Sequence, residues 1–125
     1  MRVYYEDTDA AGLVYYANYL HFIERARTER LRALGFDQGA LMRDFGIAFV
    51  VRRAELDFLA PARLDDVLEV DAGLAAVSHV TIDFLQRVMR AGTLLVQAKV
   101  KVACVNIQTM KPARIPAPIR QELDG

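Results

Sequence analysis

The chain has 125 residues, 54% hydrophobic and 26% charged, with sixteen basic side chains against sixteen acidic ones. That length fits one ordinary domain, and the hydrophobic content excludes disorder. The zero net charge provides no field to steer the protein toward nucleic acid or an anionic membrane. No basic segment followed by an apolar one opens the chain, and no apolar run approaches the ~20 residues that cross a bilayer, so neither a signal peptide nor a membrane span is expected. The single cysteine, Cys104, sits in "KVACVNI" and reads as a small core hydrophobe. With no internal disulfide available, the chain reads as cytoplasmic.

In chain order, "RVYYE" is short and β-prone, and "DTDAAG" interrupts it. From Tyr15 to Leu34 the apolar residues Tyr16, Tyr19, Leu20, Ile23, Ala26, Leu31 and Leu34 recur mostly at three- and four-residue steps, which predicts one helix. At about 19 residues it is ~28 Å long and lies across a sheet. Gly35 is its stop, and His21 falls within it as a structural residue. Asp37 to Gly46 predicts a short second helix or lid. The period then becomes two. Val50, Ala54, Leu56 and Phe58 alternate against Arg53, Glu55 and Asp57, and Pro61 ends that strand. "VLEVDAGLAAV", "HVTIDFLQRVMR" and "LVQAKVKVACV" each alternate in the same way, with Ala91-Gly92 as a turn. The segment from about 112 onward carries three prolines and reads as partly irregular. One strand, one long helix and four strands make a single α+β domain over 1–125, with the helix on one face of an antiparallel sheet. The other face, with Leu85, Met89 and Leu95, suits partner subunits.

The stretch "YEDTDAAGLVYYANY" places Glu6, Asp7 and Asp9 among tyrosines at the start of the long helix. A helix start carries free N–H groups and about half a positive charge, so an oxyanion formed there is stabilised by fixed donors. "AAGLV" is flexible enough to fold Asp9 back toward that start, and Gly12 permits a tight turn or a close approach to a ligand. A carboxylate beside such amides suits acyl transfer, with the tyrosines keeping it partly dry. Spacing alone favours the plainer reading, a pair of turn or capping aspartates. His21 and His79 are far apart, with no metal-ligand spacing, and there is no nucleophile elbow, phosphate loop or dinucleotide fingerprint.

The run D-x-D-x-x-G-x-V-Y-Y-x-N-Y, Asp7 to Tyr19, resembles the motif of the 4-hydroxybenzoyl-CoA thioesterase family of hotdog-fold proteins, especially the type encoded beside the Tol–Pal cell-envelope genes. The likeness continues through "ALMRDFGIAFVVRRAELDFLAPARLDDVLEV" and "VKVACVNIQTMKPARIP". The resemblance implies a long central helix wrapped by a five-stranded antiparallel sheet. It also implies side-by-side dimers with active sites at the interface, commonly paired into tetramers. Asp9 would be the catalytic carboxylate, the Tyr16 backbone N–H the oxyanion donor, and Gly12 and Val14 part of the substrate site. The substrate would be a short-chain or aromatic acyl-CoA, or an acyl-carrier protein, with no cofactor beyond the coenzyme A of the substrate. Several envelope-type relatives have histidine where this chain has Tyr16, whereas hydroxybenzoyl relatives have tyrosine. Some relatives carry an arginine pair at the start of the fourth strand, where this chain reads "AAVSHV". Arg52, Arg53, Arg63, Lys111 and Arg114 are then the candidates for the coenzyme A phosphates. Two other readings stay open: a hotdog dehydratase, which needs a histidine that this chain does not place well, and a weakly catalytic or non-catalytic scaffold that binds acyl-CoA or acyl-carrier protein near the envelope or phospholipid machinery.

Overall fold

The computed structural model describes residues 1–124. Helix α1 spans Asn18–Ala33, starting three residues later than its periodicity suggested, because Tyr15–Ala17 form the turn that leads into it. Its sixteen residues cover about 24 Å. Gly35, at φ +94°, closes it, with Phe36 N–H bonded to the Leu31 carbonyl (2.9 Å) and Gly35 N–H to that of Arg32 (2.9 Å). This Schellman arrangement satisfies two orphan carbonyls and needs the left-handed residue that glycine provides. The buried side chains are Tyr19, Phe22, Ile23 and Leu31. Leu20 and His21 face solvent instead, so the core stripe runs through Phe22, which the expected face omitted. The second helix is one turn, α2 (Gln38–Ala40), continued by a π turn at Leu41–Phe45. The Asp37 carboxylate caps it by accepting from Ala40 N–H at 2.7 Å.

All five strands follow α1: β1 (Ile47–Phe58), β2 (Glu69–Val70), β3 (Gly73–Val77), β4 (Thr81–Arg90) and β5 (Thr93–Asn106). The order is β1-β5-β4, with β2 and β3 both paired to β4, and every pairing is antiparallel. This is the expected α+β hotdog arrangement, with one correction in how the five strands arise. "RVYYE" contributes only a bridge between Arg2 and Val67, followed by a 3-10 turn at Tyr5–Asp7. The Asp7 carboxylate takes the Tyr4 N–H (3.0 Å) and Thr8 Oγ1 donates to the Tyr5 carbonyl (2.7 Å), so local bonds close a turn where a ladder was expected. The missing strand is made up by the split of "VLEVDAGLAAV" into β2 and β3. Asp71, between them, binds Arg87 with both its backbone and its carboxylate.

Two further alternations were misplaced. β1 shifts register between Val51 and Arg53, so Arg52 is the bulge residue and Val51, not Val50, shares a face with Ala54. Leu95 is fully buried, because the register also shifts between Val88 and Met89; it does not join Leu85 on the outer face. That outer face carries the ion pairs Arg53–Glu55 and Lys101–Asp83. The inner face of β4 presents Ile82, Phe84, Gln86 and Val88 to α1. Among the described residues Gln86 is the one polar residue buried in this core, and it is satisfied. Its Nε2 donates to the carbonyls of Ile23 and Asp71, both at 3.0 Å, and its Oε1 accepts from Arg27 at 3.0 Å. Burial lowers the pKa of that Arg27.

Residues 111–124 are ordered, contrary to expectation. Residues 111–116 run beside β5, with Ala113 N–H on the Cys104 carbonyl (2.9 Å) and Ile115 N–H on that of His79 (2.8 Å). Helix α3 (Ala117–Asp124) then packs against β3. Pro116 and Pro118 suit a first helical turn, while Ile119 and Leu123, four apart, bury one face. Cys104 lies beneath this strap, and burial pushes its thiol up to about 11.

Candidate active site

The motif folds as a tight hairpin leading into a helix. Thr8 bridges Val14, and Asp9 N–H donates to the Leu13 carbonyl at 2.8 Å. Gly12 makes the return possible at φ +77°, donating its N–H to the Asp9 carbonyl (3.1 Å). The Asp9 carboxylate is exposed. Its Oδ1 accepts from Ala11 N–H (2.9 Å) and Leu13 N–H (3.3 Å), and Oδ2 has no protein partner among the described residues. Within one chain the tyrosines do not cover this acid, contrary to expectation. The Tyr15 and Tyr16 rings lie 4.8 Å apart at a 52° tilt, and hydrogen bonding of the Tyr15 hydroxyl to Tyr16, ahead of the Tyr16 charge, raises the Tyr15 phenol above its ordinary pKa.

The hairpin is tied to the helix start at one atom. The Asp7 carbonyl accepts from Tyr15 N–H (3.1 Å) and from Asn18 Nδ2 (2.9 Å). Asn18 is therefore the residue that fixes the turn; its place in the motif was visible, but its role was not read. No side chain caps α1. Among the described residues, no acceptor bonds the N–H groups of Tyr16 and Ala17, while the next amides, of Asn18, Tyr19 and Leu20, bond Tyr15, Tyr16 and Ala17. Two successive free donors thus sit at the positive end of the helix.

Beside these amides lies an uncharged groove of about 280 Å³ lined by Val14, Tyr16, Tyr19, Phe58, Leu59, Ala60 and Pro61. Phe58, at the end of β1, meets Tyr16 edge-on at 6.5 Å and Tyr19 at 5.6 Å. The Tyr19 hydroxyl accepts from Ala62 N–H at 2.9 Å, which pins the loop after β1 to the helix. Sequence reading named Val14 and Tyr16 here but missed Phe58 to Pro61, which the fold brings in from some forty residues away.

The basic candidates separate. Arg63, in the loop after β1, bridges Leu13 of the hairpin. Arg53 lies on the sheet face opposite α1, paired with Glu55 at 2.5 Å, and Arg52 is exposed at the bulge. Five or six residues of strand, about 17–20 Å, separate them from Phe58. Arg114 lines a different cavity with His79 and Arg120, at the α3 end of the sheet. Lys111 is exposed near that end.

Residues 3–123 match the family model of the thioesterase-like superfamily. The chain is 50% identical to an acyl-CoA thioesterase, YbgC, of Haemophilus influenzae over 96% of this chain and 88% of that protein. A probable thioesterase from Bartonella henselae superposes with a TM-score of 0.87 at 37% identity, covering 93% of this chain and 95% of that one. A 1,4-dihydroxy-2-naphthoyl-CoA thioesterase from Synechocystis does so with a TM-score of 0.90 at 25% identity, covering 99% and 92%. A capped aspartate hairpin, open helix amides and this likeness along nearly the whole chain lead to one assignment: the protein belongs to the thioesterase-like superfamily.

Proposed function

We propose that this protein hydrolyses acyl-CoA to free acid and coenzyme A, with Asp9 as general base or nucleophile and the start of α1 as the oxyanion site. The observation that carries the reading is the pair of unpartnered N–H groups at Tyr16 and Ala17 beside a hairpin built around Asp9. The thioester carbonyl oxygen lies toward those amides. Attack puts negative charge on it, where fixed donors are worth roughly 3–4 kcal/mol. Asp9 either takes a proton from the attacking water or attacks directly, giving a mixed anhydride that water then cleaves. The thiolate leaves without an elaborate acid, since a thiol pKa is ~8.5. Because the donor is backbone, tyrosine in place of histidine at residue 16 leaves it intact.

The acyl group occupies the groove between Tyr16 and Phe58, whose uncharged, aromatic lining favours a short-chain or aromatic acyl group. Arg63, in the loop bridged to the hairpin, is the cation best placed for the coenzyme A phosphates. The working unit is a homodimer or a pair of dimers. β1 is a twelve-residue edge strand with an unpaired side, and Tyr15, Tyr16, Phe58 and Leu59 are exposed apolar residues in one chain. A second subunit on this edge covers them and dries the Asp9 carboxylate.

One observation favours the alternative, a scaffold that binds acyl-CoA or acyl-carrier protein without turnover: Asp9 Oδ1 serves as a cap for its own loop. Thiol release from a panel of short-chain, aromatic and long-chain acyl-CoAs separates the two. Steady release with at least one short or aromatic substrate is expected. Binding of the same compounds by calorimetry with no thiol release on any of them contradicts the hydrolase.

A further inference from the structure

The Asp9 hairpin does not stand by itself. Its returning strand is bonded along its length to the loop after β1: Val14 N–H donates to the Ala62 carbonyl (2.9 Å), Leu13 bridges Arg63, and Leu64 N–H donates to the Gly12 carbonyl (3.1 Å). Leu13 in turn holds Asp9, through the Asp9 N–H (2.8 Å) and the Asp9 Oδ1 (3.3 Å). The supporting loop, residues 60–66, has no ladder of its own, and Asp65 within it sits at φ +67°. Such a loop keeps one shape only if something outside it fixes it.

Backbone bonds tie this loop to Val3 (Val3 N–H to the Asp66 carbonyl, 2.8 Å; Asp65 N–H to the Val3 carbonyl, 3.0 Å), the Tyr19 hydroxyl holds Ala62 N–H, and an ion pair adds the side-chain clamp. Asp66 Oδ2 accepts from Arg63 N–H (2.8 Å), inside the loop, and from Arg90 Nη1 (2.7 Å), at the end of β4. The same Arg90 nitrogen reaches the Pro61 carbonyl at 3.4 Å. With side chains 35% and 21% exposed, this is the most covered ion pair among the described residues. Burial alone would raise the Asp66 carboxyl, but the hydrogen bonds and charges of Arg90 and Arg63 outweigh it and hold the pKa below the ordinary value.

We propose that Asp66 and Arg90 are positioning residues: their clamp sets the 60–66 loop, and through Ala62, Arg63 and Leu64 the place of the Asp9 carboxylate relative to the α1 amides. This rests on the reading of Asp9 as the reacting group. A misplacement on the order of 1 Å costs ~10²-fold in such geometries, so a loosened clamp lowers turnover more than affinity.

The test is thiol release by the full chain on an acyl-CoA that the wild type hydrolyses. Asp66→Asn and Arg90→Met should each lower kcat at least tenfold with KM within threefold, and Arg90→Lys should recover part of the loss. Arg87→Met, which breaks the Arg87–Asp71 pair on the same strand without touching the loop, should change neither constant. In an Asp9→Asn background, Asp66→Asn should add no further loss. If Asp66→Asn does not fold, Arg90→Met and Arg90→Lys decide by the same split. A kcat within twofold of wild type for the clamp variants, beside an inactive Asp9→Asn, overturns this inference and leaves the hydrolase standing. A fully active Asp9→Asn overturns the hydrolase reading itself, and the clamp with it.

Discussion

The two ends of the sheet obey opposite rules. At the Cys104 end, residues 111–116 bond the end of β5 and His79, just before β4, and Ile115, Ile119 and Leu123 seal the core. At the other end, α1 begins without a side-chain cap, leaves two amides unbonded, and exposes Phe58 and Leu59 by 51% and 60%. Both ends are built on the same strands, so the difference is not one of overall stability. Stability concentrates where local rules agree, and a site for ligand is recognised where they are broken without repair. Substitutions at the closed end should therefore move melting, and those at the open end should move rate.

The largest effect expected is at the open end. Tyr16→Pro removes one free N–H while suiting a first helical turn, so kcat should fall ~10²–10³-fold with little loss of melting temperature. Tyr16→Phe keeps the N–H and should stay within a few-fold. At the closed end, Ile119→Ala should cost about 2–5 kcal/mol by denaturant melting, with kcat of the folded protein unchanged. Between the ends, Gln86→Leu leaves Arg27 and the Ile23 carbonyl without their partner and should cost about 1–3 kcal/mol. The smallest effect concerns pH. The Asp66 pKa is lowered by folding, so its contribution is present above the ordinary carboxylate pKa and is lost as pH falls through the lowered one. The melting points of Asp66→Asn and wild type should differ near neutrality and converge as pH falls through the lowered Asp66 pKa.

The sequence made the helix and the four later strand regions legible because their apolar periods are long and regular. It misplaced β1's faces and Leu95 because a bulge changes parity without leaving a mark in composition. The tail read as irregular because prolines suggest breaks, although Pro116 and Pro118 here start a helix whose Ile119 and Leu123 find cover only in the folded chain. Asp9, Gly12, Val14 and Tyr16 were legible as a cluster because they are contiguous. Phe58, Asp66 and Arg90 were not, since only tertiary packing brings them to that cluster. The apparent crowding of acid and tyrosine misled in one respect: neighbours in sequence do not screen Asp9 within a single subunit.

The central claim is that the Asp9 carboxylate does the chemistry. Asparagine keeps the Oδ1 acceptor that caps the Ala11 and Leu13 amides, so Asp9→Asn preserves the loop while removing the charge and the nucleophile. Measured as thiol release on the best acyl-CoA substrate, kcat for Asp9→Asn should drop at least ~10²-fold at an unchanged melting temperature. Equal turnover by the two folded proteins would contradict the account.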